Sequence, residues 1–228
     1  MTSSLYFAIL IRGINIFLIM EEEITVIDTG LRGSASAIAG AIGELGRSVE
    51  EISLIIITHN HIDHIGGLPE LRKISGARVA IHRDDLNFGQ KGLPYRGWLK
   101  IIMKAPFMPA FWPSMYATEK DVDIVLQGGE VLKPLGGLEV IPTPGHTPGG
   151  ISLYSASRKL IFVGDTINHR ARDFSLTPPF VSSDMMQARQ SVKRLAQLDF
   201  EVLCYGHGKP LMQSASARLR DWIKRKDL

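Results

Sequence analysis

Cysteine is nearly absent: Cys204 is the only one in 228 residues. One thiol closes no intrachain disulfide, and such sparing use suits a reducing compartment. Its neighbours Val202, Leu203 and Tyr205 are apolar or aromatic, so Cys204 reads as packing rather than a nucleophile. An excess of one charge is also missing. The net charge of +3 is mild for this length and gives no basis for a nucleic-acid partner. The basic residues concentrate over 218–226, a pattern that reads as a solvated helix face. No apolar run is long enough to span a bilayer. The stretch 5–20 is broken by Arg12, Gly13 and Asn15 and falls short of the ~20 residues a spanning helix needs. It also lacks the basic start and small-residue cleavage site of a secretory signal. The expectation is a cytoplasmic protein without a membrane partner. No Gly-x-Ser-x-Gly elbow occurs, so serine-nucleophile chemistry has no sequence support.

What the chain does have is histidine in one place. Thr58-His59-Asn60-His61-Ile62-Asp63-His64-Ile65-Gly66-Gly67 holds three of the seven histidines and a carboxylate, directly after the apolar run 52–57. Each ring nitrogen and carboxylate oxygen needs a partner if buried. A divalent metal supplies one, because neutral imidazole and ionised carboxylate are ligands that zinc accepts. His59 and His61 on an extended segment or tight loop can face one ion, and Asp63 and His64, one turn on, a neighbouring one. His146 lies in the turn Thr143-Pro144-Gly145-His146-Thr147-Pro148-Gly149-Gly150. Asp165 follows the strand-like 159–164, and His207 lies in Tyr205-Gly206-His207-Gly208 after another apolar segment. One ligand or ligand cluster thus follows each of four expected strands, which predicts seven candidates gathered at one edge of a sheet.

These motifs, with Asp28-Thr29-Gly30 and Gly164-Asp165-Thr166, resemble those of the metallo-β-lactamase superfamily, in its order and over nearly the whole chain. The resemblance implies two divalent ions, zinc first and iron or manganese as alternatives. His59, His61 and His146 would hold one ion; Asp63, His64 and His207 would hold the other; Asp165 would bridge them. Asp28 would orient the ligand loop without binding metal. Two ions ~3.5–4 Å apart can share a hydroxide that is a nucleophile near neutral pH, and Asp63 would be the catalytic residue that orients it and carries its proton.

Length fits one α/β domain with a full core. Strands are expected over 5–11, 14–19, 24–27 and in the run ending at His59, then at 78–82, 131–132, 138–142, 151–154, 160–163 and 202–204. Helices are expected over 36–45, 67–74 and 184–198 and from Ala215 onward. Ser183 is the expected cap of the third, with Met186, Val192 and Leu195 on its buried face. The family's fold is an αββα sandwich: two mixed sheets packed face to face with helices outside.

Residues 83–120 form an irregular apolar insertion that carries Trp98 and Trp112, two of the three tryptophans. Long loops in compact domains are usually functional. The insertion reads as a lid over the metal site, a homodimer contact, or a flank of the core. Trp98, Trp112, Asn168 and Tyr205 are the candidate substrate contacts. The expected function is a dinuclear metal hydrolase of a small ester, thioester or lactone. Hydroxyacylglutathione hydrolases usually carry an additional glutathione-binding domain, for which the short tail after His207 leaves no room. Related lactonases place a tyrosine where Asn168 stands; Tyr205 or His169 could serve instead. Class B β-lactamases usually lack an Asp at the position of Asp63. The alternative is an oxidoreductase resembling mononuclear-iron persulfide dioxygenases.

Overall fold

A computed structural model describes residues 5–86, 117–170 and 173–228. The chain opens with strands β1 (Leu5–Ile11), β2 (Ile14–Met20) and β3 (Ile24–Ile27), then helix α1 (Ala35–Glu44) and strand β4 (Ile52–Ile56). Short helices α2 (Ile62–Ile65) and α3 (Leu68–Ser75) precede β5 (Arg78–His82) and β6 (Ile124–Leu126). These six strands form one sheet in chain order, antiparallel from β1 to β3 and parallel from β3 to β6. A second sheet follows from β7 (Val131–Leu132), β8 (Leu138–Pro142), β9 (Ile151–Ser155), β10 (Leu160–Phe162) and β13 (Val202–Cys204), in the order β13-β10-β9-β8-β7. Its β10–β13 pair is parallel and the others are antiparallel. Strands β11 (Asn168–Arg170) and β12 (Asp173–Ser175) make a separate hairpin. Helices α4 (Met185–Leu195) and α5 (Ala215–Lys226) complete the fold.

The layering follows from side-chain alternation along the strands. In β2, Phe17 and Ile19 face the second sheet, meeting Leu153, Leu160 and Phe162 in a shared core. The Phe17 and Phe162 rings touch edge-on at 5.0 Å. The intervening Ile16 and Leu18 face outward and pack with Ile38 and Ile42 of α1 and Leu71 of α3. The second sheet does the same: Ile161 and Leu203 pack outward on Val192 and Leu195 of α4 and Leu219 and Trp222 of α5. Four layers result, α/β/β/α, as the resemblance implied.

Three local expectations change. Strands β6, β11 and β12 were not anticipated. The run before His59 ends as a strand at Ile56, three residues early. Helix α4 is capped by Asp184 rather than Ser183: its carboxylate accepts the backbone N–H groups of Met186 and Gln187 at 2.8 and 3.1 Å. Starting there, the row Ala188, Val192 and Leu195 turns inward, and Met186 is left 70% exposed. Cys204 is buried in the core between the sheets, where burial pushes its thiol pKa up and keeps it protonated. No helix among the described residues is long and apolar enough to cross a membrane.

Candidate metal centre

The candidate residues leave the ends of strands in both sheets, not one. His59 and His61 follow β4 of the first sheet, while His146, Asp165 and His207 follow β8, β10 and β13 of the second. The expectation of a single sheet edge is corrected on this point: the two sheets face each other, so strand ends from both open onto the same rim. The turn of α2 then brings Asp63 and His64 back toward that rim. Backbone pairing closes it, with Ile151 N–H donating to Thr58 carbonyl at 2.9 Å and Gly206 N–H to Gly164 carbonyl at 2.8 Å. The packing at Gly206 admits no side chain, since a Cβ there would collide with Asp165 Oδ1 and meet His64 Cε1 at 2.8 Å.

Three overlapping groups of ligand atoms form, each with its members within 4.8 Å of one another: His59/His61/His146, His59/His64/Asp165 and Asp63/His64/His207. Asp165 lies between them. Its Oδ1 is 3.5 Å from His64 Nε2, and its Oδ2 is 3.5 Å from His207 Nε2 and 3.8 Å from His146 Nε2. Asp63 Oδ2 is 3.2 Å from His207 Nε2 and 3.8 Å from His64 Nε2. His59 Nε2, His64 Nε2 and Asp165 Oδ1 are buried without a hydrogen-bond partner among the described residues. Buried polar atoms are rarely left so. Three of them converging in a nitrogen–oxygen donor set fit a divalent cation.

The remaining ring nitrogens are already committed. Thr58 Oγ1 donates to Asp28 Oδ2 at 2.8 Å and accepts His59 Nδ1–H at 3.1 Å. His64 Nδ1–H reaches the same Oδ2 at 2.8 Å, and Thr58 N–H donates to Asp28 Oδ1 at 2.8 Å. His207 Nδ1–H donates to the Gly13 carbonyl at 3.0 Å. In all three rings Nε2 is thereby turned toward the centre, the arrangement that outer partners impose on metal-binding histidines.

Electrostatics divide the cluster. Burial, then repulsion among the rings, holds His59 well below the ordinary histidine range. Burial lowers His61 and His146 as well, so these three rings are neutral at pH 7. His207 is pushed up to about 11 by hydrogen bonds to Asp165 and Asp63. His64 rises to about 9: burial opposes its charge, but Asp28 and Asp165 outweigh it. Burial raises Asp63 and Asp165, yet the neighbouring histidines leave both lowered and ionised.

A cavity of about 420 Å³ opens over the cluster. Its polar wall is His61, Asp63, His146, Asp165 and His207, and its apolar wall is Ile62, Pro178, Phe180 and Val181. Asn168 lines it too, with its amide nitrogen donating to Thr177 Oγ1 at 2.9 Å. Tyr205 is placed elsewhere. Its ring is wholly buried under α4 and α5 and stacks on His169 at 5.8 Å, away from the cavity lining. Trp98 and Trp112 lie outside the described residues, as does most of the 83–120 insertion with its expected lid and homodimer roles.

The sequence reading missed four features: the Thr58 relay, Asn60, Asp85 and the 177–181 wall. Asp85 is fully buried and accepts from Asn60 N–H at 2.9 Å, Thr147 hydroxyl at 2.8 Å and Gly149 N–H at 2.6 Å. It joins the His59–His61 loop to the His146 turn. Burial outweighs those hydrogen bonds and pushes its pKa up to about 6. The Asn60 amide donates to the carbonyls of Asp85 (2.7 Å) and Ala117 (3.0 Å) and accepts Ala117 N–H at 2.9 Å. The only sequence signal for Asp85 was an acidic residue just beyond β5, a strand that neighbours β4.

Similarity to known proteins agrees with this geometry. The family described as the Metallo-beta-lactamase superfamily matches residues 11–207. The uncharacterized protein YobT of Bacillus subtilis (strain 168) is 30% identical over 225 residues, covering 93% of this chain and 90% of its own length. A hydroxyacylglutathione hydrolase of Ectopseudomonas mendocina (strain ymp) is 33% identical over 150 residues, 64% of this chain and 43% of that protein. Among solved structures, a metallo-beta-lactamase family protein of Thermus thermophilus superposes with a TM-score of 0.72 at 22% identity, covering 97% of this chain and 79% of its own. With that match over 11–207 and the αββα layering, the chain belongs to the metallo-beta-lactamase superfamily.

Proposed function

We propose that the protein is a dinuclear metal hydrolase of a small ester, thioester or lactone. The observation that carries this reading is the convergence of buried, unpartnered His59 Nε2, His64 Nε2 and Asp165 Oδ1 beneath an open cavity. The similarity to hydroxyacylglutathione hydrolases and to the probable metallo-hydrolase YflN of Bacillus subtilis (strain 168) supports the reaction class. His59, His61 and His146 would hold one ion and Asp63, His64 and His207 the second, with Asp165 placed among both sets. When bound, two such ions supply Lewis acidity and a nucleophile derived from water near neutral pH.

The chain's own residues do the rest. Asp28, through Thr58 and directly, keeps the His59 and His64 rings turned with Nε2 inward. Asp63 stands on the cavity wall with its side chain 32% exposed, and it is ionised at neutral pH. An ionised carboxylate at that place accepts a proton from the attacking water and can return it to the leaving group. The apolar wall opposite takes the non-reacting part of the substrate.

Elemental analysis of protein purified without added metal tests the reading. About two ions per chain, together with chelator-sensitive turnover of an ester, thioester or lactone, is the expected result. Asp165→Ala should lower the metal content as well as the activity; two ions retained per chain would remove Asp165 from the bridging position. One iron per chain, with oxygen uptake on a persulfide, would replace the hydrolase by the dioxygenase reading.

A further inference from the structure

The segment 177–182 is built into the metal centre rather than hung beside it. At one end, Thr177 Oγ1 donates to the Asp165 carbonyl and accepts from the Asn168 amide. At the other, Ser183 N–H donates to the His146 carbonyl at 3.0 Å and Asp184 N–H to the Gly145 carbonyl at 2.8 Å. Ser182 hydroxyl closes the segment on itself by donating to the Thr177 carbonyl at 3.2 Å. Pro178 and Pro179 fix two consecutive φ angles, and residues 179–181 make one tight turn. Both ends are therefore tied to the backbones of Asp165 and His146, and the middle is stiff.

That turn carries an apolar side chain toward solvent at the cavity mouth. Phe180 is 56% exposed, yet it lines the cavity with Pro178, Val181 and, from α2, Ile62. Phe180 shares the cavity with three other apolar side chains, so it belongs to a patch rather than standing as a lone surface residue. The rest of the lining is carboxylate and imidazole, with Asn168 and Thr177. Apart from the histidine–aspartate cluster itself, the described lining contains no lysine or arginine, so a charged substituent lying against the 178–181 turn meets no cation there. The cavity is polar on the reacting side and apolar on the side that receives the rest of the substrate.

We infer that the Pro178–Phe180–Val181 turn is the acyl-binding wall, and that the preferred substrates carry an uncharged, linear apolar acyl group that lies against Phe180. The inference rests on the hydrolase reading and specifies its substrate class. Phe180 is a specificity residue: it touches the acyl chain, not the reacting atoms. Because the turn is anchored on Asp165 and His146, the distance from metal centre to wall is set by the fold, and added methylenes gain contact until the chain passes the ring.

The test uses the full metal-loaded chain and p-nitrophenyl acetate, butyrate, hexanoate and octanoate. In the wild type kcat/KM should rise with chain length. In Phe180→Ala the octanoate-to-acetate ratio should fall about tenfold, the scale of lost contact in an apolar pocket. Phe180→Leu should restore most of the ratio, and the remote exposed Met212→Ala should leave it at the wild-type value. A ratio that Phe180→Ala does not change overturns the wall. Failure of the wild type to turn over any of these esters counts against the hydrolase reading instead. The wall is then read by calorimetry with acetohydroxamate and octanohydroxamate. Octanohydroxamate should bind tighter to the wild type and lose that advantage in Phe180→Ala; equal affinities in the wild type overturn the proposal.

Discussion

Asp28 and Asp85 are both buried, both accept three hydrogen bonds, and both brace the four residues from Thr58 to His61. They differ in what they hold. Asp28 binds the His64 imidazole directly and that of His59 through the Thr58 hydroxyl, so it decides which nitrogen of each ring faces the candidate metal centre. Asp85 touches no imidazole by hydrogen bond. It holds Asn60, Thr147 and Gly149, which join the two ligand loops, and through Asn60 the site is tied to Ala117. One carboxylate tunes ligands; the other sets the spacing between the loops that carry them. Burial alone does not reveal a carboxylate's role, whereas the identity of its donors does.

This contrast can be broken or sharpened by substitution. The largest effect should be on stability, from Asp85→Ala. It leaves three buried donors without an acceptor, at about 1–3 kcal/mol each before relaxation, so a loss of at least about 3 kcal/mol is expected in chemical denaturation. Next comes the pH dependence. The Asp85 carboxyl has a folded-state pKa of about 6, above its unfolded value, so the folded protein binds that proton more tightly. Its stabilisation is present below the unfolded pKa and is lost as pH rises through about 6. The difference in unfolding free energy between wild type and Asp85→Asn should shrink by roughly 2 kcal/mol between pH 4 and pH 7. A difference that stays flat would place the ionisation elsewhere.

Asp28→Ala should act on metal instead, weakening affinity by about 10–100-fold in competition with a chelator. If Asp85→Ala, measured while folded, weakens metal binding as much, the distinction between the two carboxylates fails. The smallest effect belongs to Thr58→Val. It removes the hydroxyl relay to His59 but keeps the backbone N–H on Asp28, so a loss nearer about tenfold is expected, at the lower end of the same range. Thr58→Ser should recover it.

Local chemistry made much of this legible in the chain. His59, His61, Asp63 and His64 lie so close in sequence that one strand end and the single turn of α2 bring them together, and their side-chain types name the chemistry. The main strands and helices α1, α3 and α5 were readable because each has the length and period its backbone imposes. Three of the short strands were not. Strands β11 and β12 owe their existence to their pairing with each other, and Met186 is exposed because it lies off the helical row of Ala188, Val192 and Leu195. Asp85 and Phe180 stand in no sequence motif; their roles depend on partners dozens of residues away.

The candidate ligands, the order of the motifs and the alternation that splits each sheet into an inner and an outer face were all present in the amino-acid order. These follow from side-chain chemistry and from periods that a strand or helix imposes on its own residues. It took tertiary packing to show that the candidate ligands come from two sheets, that Asp28 and Asp85 have different partners, and that an apolar turn anchored on Asp165 and His146 lines the same cavity as the carboxylates. Those are relations between residues far apart in the chain, and they exist only once packing brings the two sheets together.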